Sequence, residues 1–271
     1  MIGIFDSGVG GLTVVREIFN YLPGCQIIYF GDTARLPYGT KGADFVKKYS
    51  AKITEWLLKN KAEIIVIACN TSSAWASDFL KKKFTPRGTS KKIPIFEMIN
   101  PAVTEALETT KNNKIGIIGT PGTIRSNAYQ SKLLKARPGL EIFSQACPLF
   151  VPLVEEGLLD GKITDEVIKK YLEPLKEKGI DTLILGCTHY PLLKTAIGNE
   201  IGPVIKIINP AESLAREIKK YVERNPAICK RIKQGSEHRF FFSDEPYNLE
   251  KISHLCFNKK INPIVKDPFN D

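Results

Sequence analysis

Two cysteines carry the most chemistry in this sequence. Cys69 ends the apolar run Ile64 to Ala68 and precedes Asn70-Thr71-Ser72-Ser73. Cys187 follows Leu183 to Gly186 and precedes Thr188-His189-Tyr190, with Pro191 placed as at a helix start. The thiolate is the reactive form of cysteine, and an unperturbed thiol of pKa ~8.5 is mostly protonated at neutral pH. A strand end that opens into a helix supplies backbone N–H groups and a positive dipole end, which favour an anion there. Both cysteines are therefore expected to be stabilised as thiolates. One such cysteine alone reads as packing. Two at matched positions read as a proton-transfer pair, one thiolate and one thiol, exchanging states with each turnover.

Proton removal from a carbon beside a carboxylate generates a dianionic, carbanion-like transition state, which needs preorganised donors. Ser7, Asn70, Thr71, Thr120, Thr123 and Thr188 fall at expected strand ends and are candidates for holding the substrate's charged groups. Each cysteine also needs a proton acceptor or orienting group. Asp6, at the end of the first strand, is the candidate beside Cys69. His189, two residues beyond Cys187, and Glu155, in the otherwise apolar stretch Leu149 to Val154, are the candidates beside the second. Each has a plainer alternative: Asp6 as a helix N-cap, His189 as a structural histidine, Glu155 as a surface charge.

The elements that must position these groups follow from periodicity. Short apolar runs at Ile2 to Phe5, Gln26 to Phe30, Ile64 to Ala68, Ile93 to Phe96, Ile115 to Ile118, Glu141 to Gln145, Leu183 to Leu185 and Val204 to Ile208 alternate with amphipathic stretches. Those stretches predict helices over Thr13 to Asn20, Gly42 to Lys59, Pro101 to Thr109, Thr164 to Lys178 and Ala211 to Arg224. The fold class is α/β, with mainly parallel sheets. An internal echo adds more. Ile2-Gly3-Ile4 recurs 113 positions later as Ile115-Gly116-Ile117, and the cysteine-ended strands lie 118 positions apart. Two similar doubly wound units facing each other would bring Cys69 and Cys187 to opposite walls of one cleft, because ligands of open α/β sheets collect at the carboxyl ends of the strands.

At 271 residues and 43% hydrophobic content the chain can bury a large core. The formal charge of +10 raises the question of a polyanionic partner. The basic residues are dispersed, however. Lys81-Lys82-Lys83 ends a helix and Lys91-Lys92 reads as a solvated loop, so no nucleic-acid partner is expected. The six cysteines lack CxxC or zinc-site spacing, which implies free thiols in a reducing cytoplasm and no metal. Cys25, Cys147, Cys229 and Cys256 read as structural thiols. No membrane span or signal peptide is expected. A dinucleotide loop at Gly8-Val9-Gly10, with Asp32 as the ribose acid, fails at the third glycine position, which is Thr13, and places Asp6 close to the pyrophosphate.

Four motifs occur in order: Asp6-Ser7-Gly8-Val9-Gly10-Gly11-Leu12, Gly31-Asp32-Thr33-Ala34-Arg35-Leu36-Pro37-Tyr38-Gly39, Ala68-Cys69-Asn70-Thr71 and Leu185-Gly186-Cys187-Thr188-His189-Tyr190-Pro191-Leu192. On these the chain resembles the bacterial glutamate racemases, over almost its whole length and least beyond about Phe240. The resemblance implies interconversion of L- and D-glutamate without a cofactor, supplying D-glutamate for peptidoglycan. It implies that Cys69 takes the proton from the D-enantiomer, assisted by Asp6, and Cys187 from the L-enantiomer, assisted by His189 and Glu155. Ser7, Asp32, Pro37, Tyr38, Gly39, Asn70, Thr71, Thr120, Thr123 and Thr188 would bind substrate. It further implies a homodimer, a first domain of residues 1–95 plus 209–271, and a second of residues 96–208. Ile99-Asn100-Pro101 and Ile208-Asn209-Pro210 depart from the common pattern and leave interface detail open. An aspartate or hydantoin racemase of the same fold is the alternative, and a binding module a distant one.

Overall fold

A computed structural model describes residues 1–84 and 93–269, so Lys91-Lys92 lie outside the described residues. Ten strands form two sheets. In chain order they are β1 (Ile2–Asp6), β2 (Ile27–Gly31), β3 (Ile64–Ile67), β4 (Ile95–Glu97), β5 (Lys114–Gly119), β6 (Glu141–Ala146), β7 (Thr182–Gly186), β8 (Lys206–Ile208), β9 (Arg239–Phe242) and β10 (Pro263–Val265). The first sheet has the order β10-β9-β2-β1-β3-β4 and the second β6-β5-β7-β8. Every pairing between these strands is parallel.

The sequence echo reappears in the register. Phe5 stands opposite Ile67 in the first sheet and Ile118 opposite Leu185 in the second, so the two offsets of the echo relate one strand pair to the other. The second sheet repeats the order of β2-β1-β3-β4 in the first. Each sheet is thus built around one central strand, β1 or β5, flanked by the cysteine-bearing strand on one side.

Parallel strands covered on both faces are apolar throughout, and all residues of β1, β2, β3 and β7 are buried. Ile2 and Ile4 join a cluster with helices α1 (Leu12–Tyr21) and α10 (Pro210–Arg224), while Phe5 joins a second with α2 (Ala43–Lys59) and α3 (Asn70–Phe84). The first cluster continues through Leu183, Leu185 and Phe150 to α8 (Lys162–Glu177), linking the two sheets in one apolar body. A third packs β5 and β7 against α4 (Ile99–Thr109) and α6 (Ala128–Ala136). Each fully buried Ile or Leu contributes roughly 1.5–3 kcal/mol of transfer free energy, which is what holds strand ends in place against ligand-sized voids.

Among the described residues there are also five shorter helices: α5 (Pro121–Arg125), α7 (Phe150–Glu156), α9 (Lys194–Ile201), α11 (Pro226–Arg231) and α12 (Leu249–Phe257). Four elements answer sequence expectations only in part. β4 spans Ile95–Glu97 and pairs with β3, where the apolar run predicts a strand over Ile93 to Phe96. β9 and β10 were not read from the sequence, and they extend the first sheet beyond β2. Pro191 opens a short 3-10 turn, Tyr190–Leu193, before α9 begins. Among the described residues no helix is long and apolar enough to cross a membrane.

Candidate active site

The carboxyl ends of β1, β2 and β3 meet those of β5, β6 and β7 around a cavity of about 250 Å³. That is slightly below the ~300–1,000 Å³ common for ligand pockets and suits a small metabolite. Cys69 and Cys187 both line it and are each only 5% exposed. They reach it from strands in equivalent positions of the two sheets.

Cys69 immediately precedes α3, and its Sγ accepts a hydrogen bond from the Ser72 N–H at 3.4 Å, an N-cap contact made by sulfur. Its thiol reaches Ser7 Oγ at 3.8 Å. The expected thiolate stabilisation is present as geometry but does not win. Burial, and then the charge of Asp6, push the Cys69 thiol up to about 12 against those hydrogen bonds. The helix end offers one partial positive charge, whereas burial removes the solvent that would otherwise stabilise the anion.

Asp6 lies beneath this wall, 1% exposed and off the cavity lining. Its Oδ2 accepts from the Gly8 and Gly11 N–H groups, both at 3.1 Å, while Oδ1 is buried without a partner. Burial raises its pKa, offset partly by His189 and by the loop amides. A carboxylate left half-satisfied in this way is costly to keep.

The other wall carries a chain of three groups. Cys187 Sγ lies 3.9 Å from His189 Nδ1, and His189 Nε2 lies 3.1 Å from Glu155 Oε1. Glu155 comes from α7 and faces the cavity with its side chain 27% exposed. Burial disfavours the charged imidazole, but the hydrogen bonds and charges of Cys187 and Glu155 outweigh it and raise the His189 pKa to about 10. The ring is thus held as a cation at neutral pH, with a donor for sulfur on one side and for the carboxylate on the other. Gly10 of the first half abuts it: a Cβ there would sit 2.4 Å from the ring.

Of the groups expected to bind substrate, Ser7, Pro37, Tyr38, Gly39, Asn70, Thr71, Thr120 and Thr188 line the cavity. Thr123 stands behind it. Its hydroxyl bonds Thr71 and Thr120 at 3.2 and 3.0 Å, and those two bond each other at 3.0 Å, a triangle that ties the sheets together. Asp32 is off the lining altogether. It is fully buried, with Oδ1 taking Arg35 and Ser243 at 2.8 Å each and Oδ2 taking the Tyr38 hydroxyl at 2.6 Å. Its oxygens are used in fixing Tyr38, so it holds the wall in place and offers nothing to a ligand, ribose included. Leu36, Pro148, Val151 and Pro152 line the cavity and were not singled out in the sequence. Their signal was weak: apolar residues beside Pro37 and just before Glu155.

Known proteins resemble this chain over nearly its whole length. Residues 2–218 match the model of the Asp/Glu/hydantoin racemase family. The chain is 45% identical to the glutamate racemase of Aquifex pyrophilus, over 95% of this chain and 94% of that protein. It is 42% identical to that of Geobacter metallireducens, over 98% and 95% respectively. Among solved structures, glutamate racemase from Francisella tularensis in complex with D-glutamate superposes with a TM-score of 0.86 at 36% identity, covering 98% of this chain and 96% of that one. The chain therefore belongs to the Asp/Glu/hydantoin racemase family and is an isomerase.

Proposed function

We propose that this enzyme interconverts L- and D-glutamate by moving the α-proton between Cys69 and Cys187, without a cofactor. The observation that carries the reading is that two cysteines at equivalent ends of β3 and β7 line one cavity. D-glutamate bound to the Francisella enzyme supports the choice of substrate.

In the D-to-L direction Cys69 removes the proton and Cys187 returns one to the opposite face. Asp6, the buried carboxylate whose charge reaches Cys69, takes the thiol proton and leaves a thiolate when substrate arrives. In the reverse direction the His189–Glu155 pair holds Cys187 as the base. Ser7, Asn70, Thr71, Thr120 and Thr188 supply donors for the charge that develops on the substrate. Residues 1–95 with 209–271 and residues 96–208 form the two domains, and closing one on the other excludes water from the carbanion. The protein acts as a cytoplasmic homodimer supplying D-glutamate for peptidoglycan.

Purified enzyme incubated in D2O with L-glutamate, and in parallel with L-aspartate, tests the reading. Loss of circular dichroism with α-deuteration for glutamate alone is the expected result. Turnover of aspartate alone would move the assignment to an aspartate racemase of the same fold, and silence with both would overturn it.

A further inference from the structure

Asn70 holds one of the few buried polar atoms among the described residues without a partner. The residue is 2% exposed and lines the cavity, and its Nδ2 bonds nothing among the described residues. The amide is nevertheless fixed in orientation. Its Oδ1 accepts a 2.6 Å hydrogen bond from the hydroxyl of Tyr129.

Tyr129 belongs to α6 in the other half of the molecule and is 1% exposed, packed within the cluster of Ile115, Ile117 and Leu133. It does not line the cavity. A buried amide with one oxygen and one NH2 can turn by 180°, and only its partners decide which end faces a ligand. Here the sole partner is a buried phenol: donating to Oδ1 satisfies its own O–H, whereas accepting from Nδ2 after a flip would leave that O–H without an acceptor among the described residues. The NH2 is thereby left as an unsatisfied donor at the cavity wall, where an acceptor on a bound ligand would complete it.

We propose that Tyr129 is a positioning residue for substrate binding: its hydroxyl locks the Asn70 amide with the NH2 toward the cavity, where it donates to a substrate carboxylate. Because the bond crosses from one half of the molecule to the other, the donor is aligned only when the two halves are correctly seated. The proposal rests on the glutamate reading above. It does not follow from it, since Tyr129 touches no substrate.

The test is Tyr129→Phe, which keeps the ring and removes the hydroxyl. The KM for both enantiomers should rise about fivefold, the worth of one ordered hydrogen bond, with kcat within twofold. In an Asn70→Ala background the same substitution should add nothing, because the amide it orients is gone. An unchanged KM, a loss confined to kcat, or a full additional loss in the Asn70→Ala background would overturn the proposal and assign Tyr129 to packing. Asn70→Asp is independent of how Tyr129→Phe folds. It keeps the acceptor for Tyr129 and replaces the NH2 by oxygen, so KM should rise more than a hundredfold, and an Asp variant that binds normally would sink the idea. Wild-type enzyme that racemises glutamate alongside an unaffected Tyr129→Phe separates failure here from failure of the glutamate reading, in which the wild type itself is inactive.

Discussion

The two walls of the cavity start from the same strand-end cysteine and are furnished differently. On the Cys69 wall the neighbouring group is a buried carboxylate, Asp6, held by loop amides and lacking one hydrogen bond, and the thiol is pushed up to about 12. On the Cys187 wall the neighbour is a cationic imidazole anchored by Glu155. A duplicated scaffold thus places two equivalent sulfur atoms among different neighbours, a buried carboxylate on one wall and an imidazole–carboxylate pair on the other. The asymmetry suits a two-base reaction, which requires one acid and one base at the start of every turnover.

Replacing either sulfur should break both halves of the comparison equally. Cys69→Ser and Cys187→Ser are each expected to lower racemisation by more than about a thousandfold, with unchanged far-ultraviolet circular dichroism, since a serine hydroxyl is a far weaker acid and base. One fully active single variant would exclude the two-base scheme.

The supporting groups should separate the walls. Asp6→Asn and His189→Asn should each cost about a hundredfold in kcat/KM. Enantiomers are equal in energy, so kcat/KM must fall by the same factor in both directions for either variant. The difference appears in the isotope effect on α-deuterated substrate: larger for D-glutamate in Asp6→Asn, larger for L-glutamate in His189→Asn. An equal rise for both enantiomers in both variants would show that the walls are not specialised.

A smaller perturbation sharpens the same point. Gly10→Ala inserts a methyl against the His189 ring and Thr188 Oγ1, and should cost about 1–3 kcal/mol of stability. In kinetics it should behave as a weak His189→Asn. If it instead altered the isotope effect for D-glutamate, His189 would be acting across the cavity.

The mildest effect is on stability against pH. The folded pKa of His189 is raised from 6.5 to about 10, so its contribution is complete below about pH 6.5 and is lost as pH rises through 10. The Tm advantage of wild type over His189→Asn should therefore shrink between pH 6.5 and 10. An advantage that grew over that interval would mean that the ring is buried neutral.

Most of the alternating elements were legible because buried parallel strands are apolar throughout and surface helices are amphipathic, and both patterns are local. The cysteine pair and the echo were legible for the same reason, being strings of residues that recur. β9 and β10 were not. Pro263–Val265 has three residues, and Arg239–Phe242 earns its place only by pairing with β2, some two hundred positions earlier in the chain. The orientation of Asp32 was not legible, because a carboxylate next to a cavity residue reads the same whether it turns inward or back toward Arg35, Tyr38 and Ser243.

By itself the sequence determined the fold class, the duplication and the two sulfur atoms, because these depend on residue type and spacing. The raised pKa of Cys69 belongs to the tertiary structure, as do the half-satisfied Asp6, the cation at His189 and the free NH2 of Asn70. Ionisation and hydrogen-bond satisfaction depend on how completely water is excluded and which groups from distant segments are brought within about 3–4 Å, and neither quantity is written along the chain.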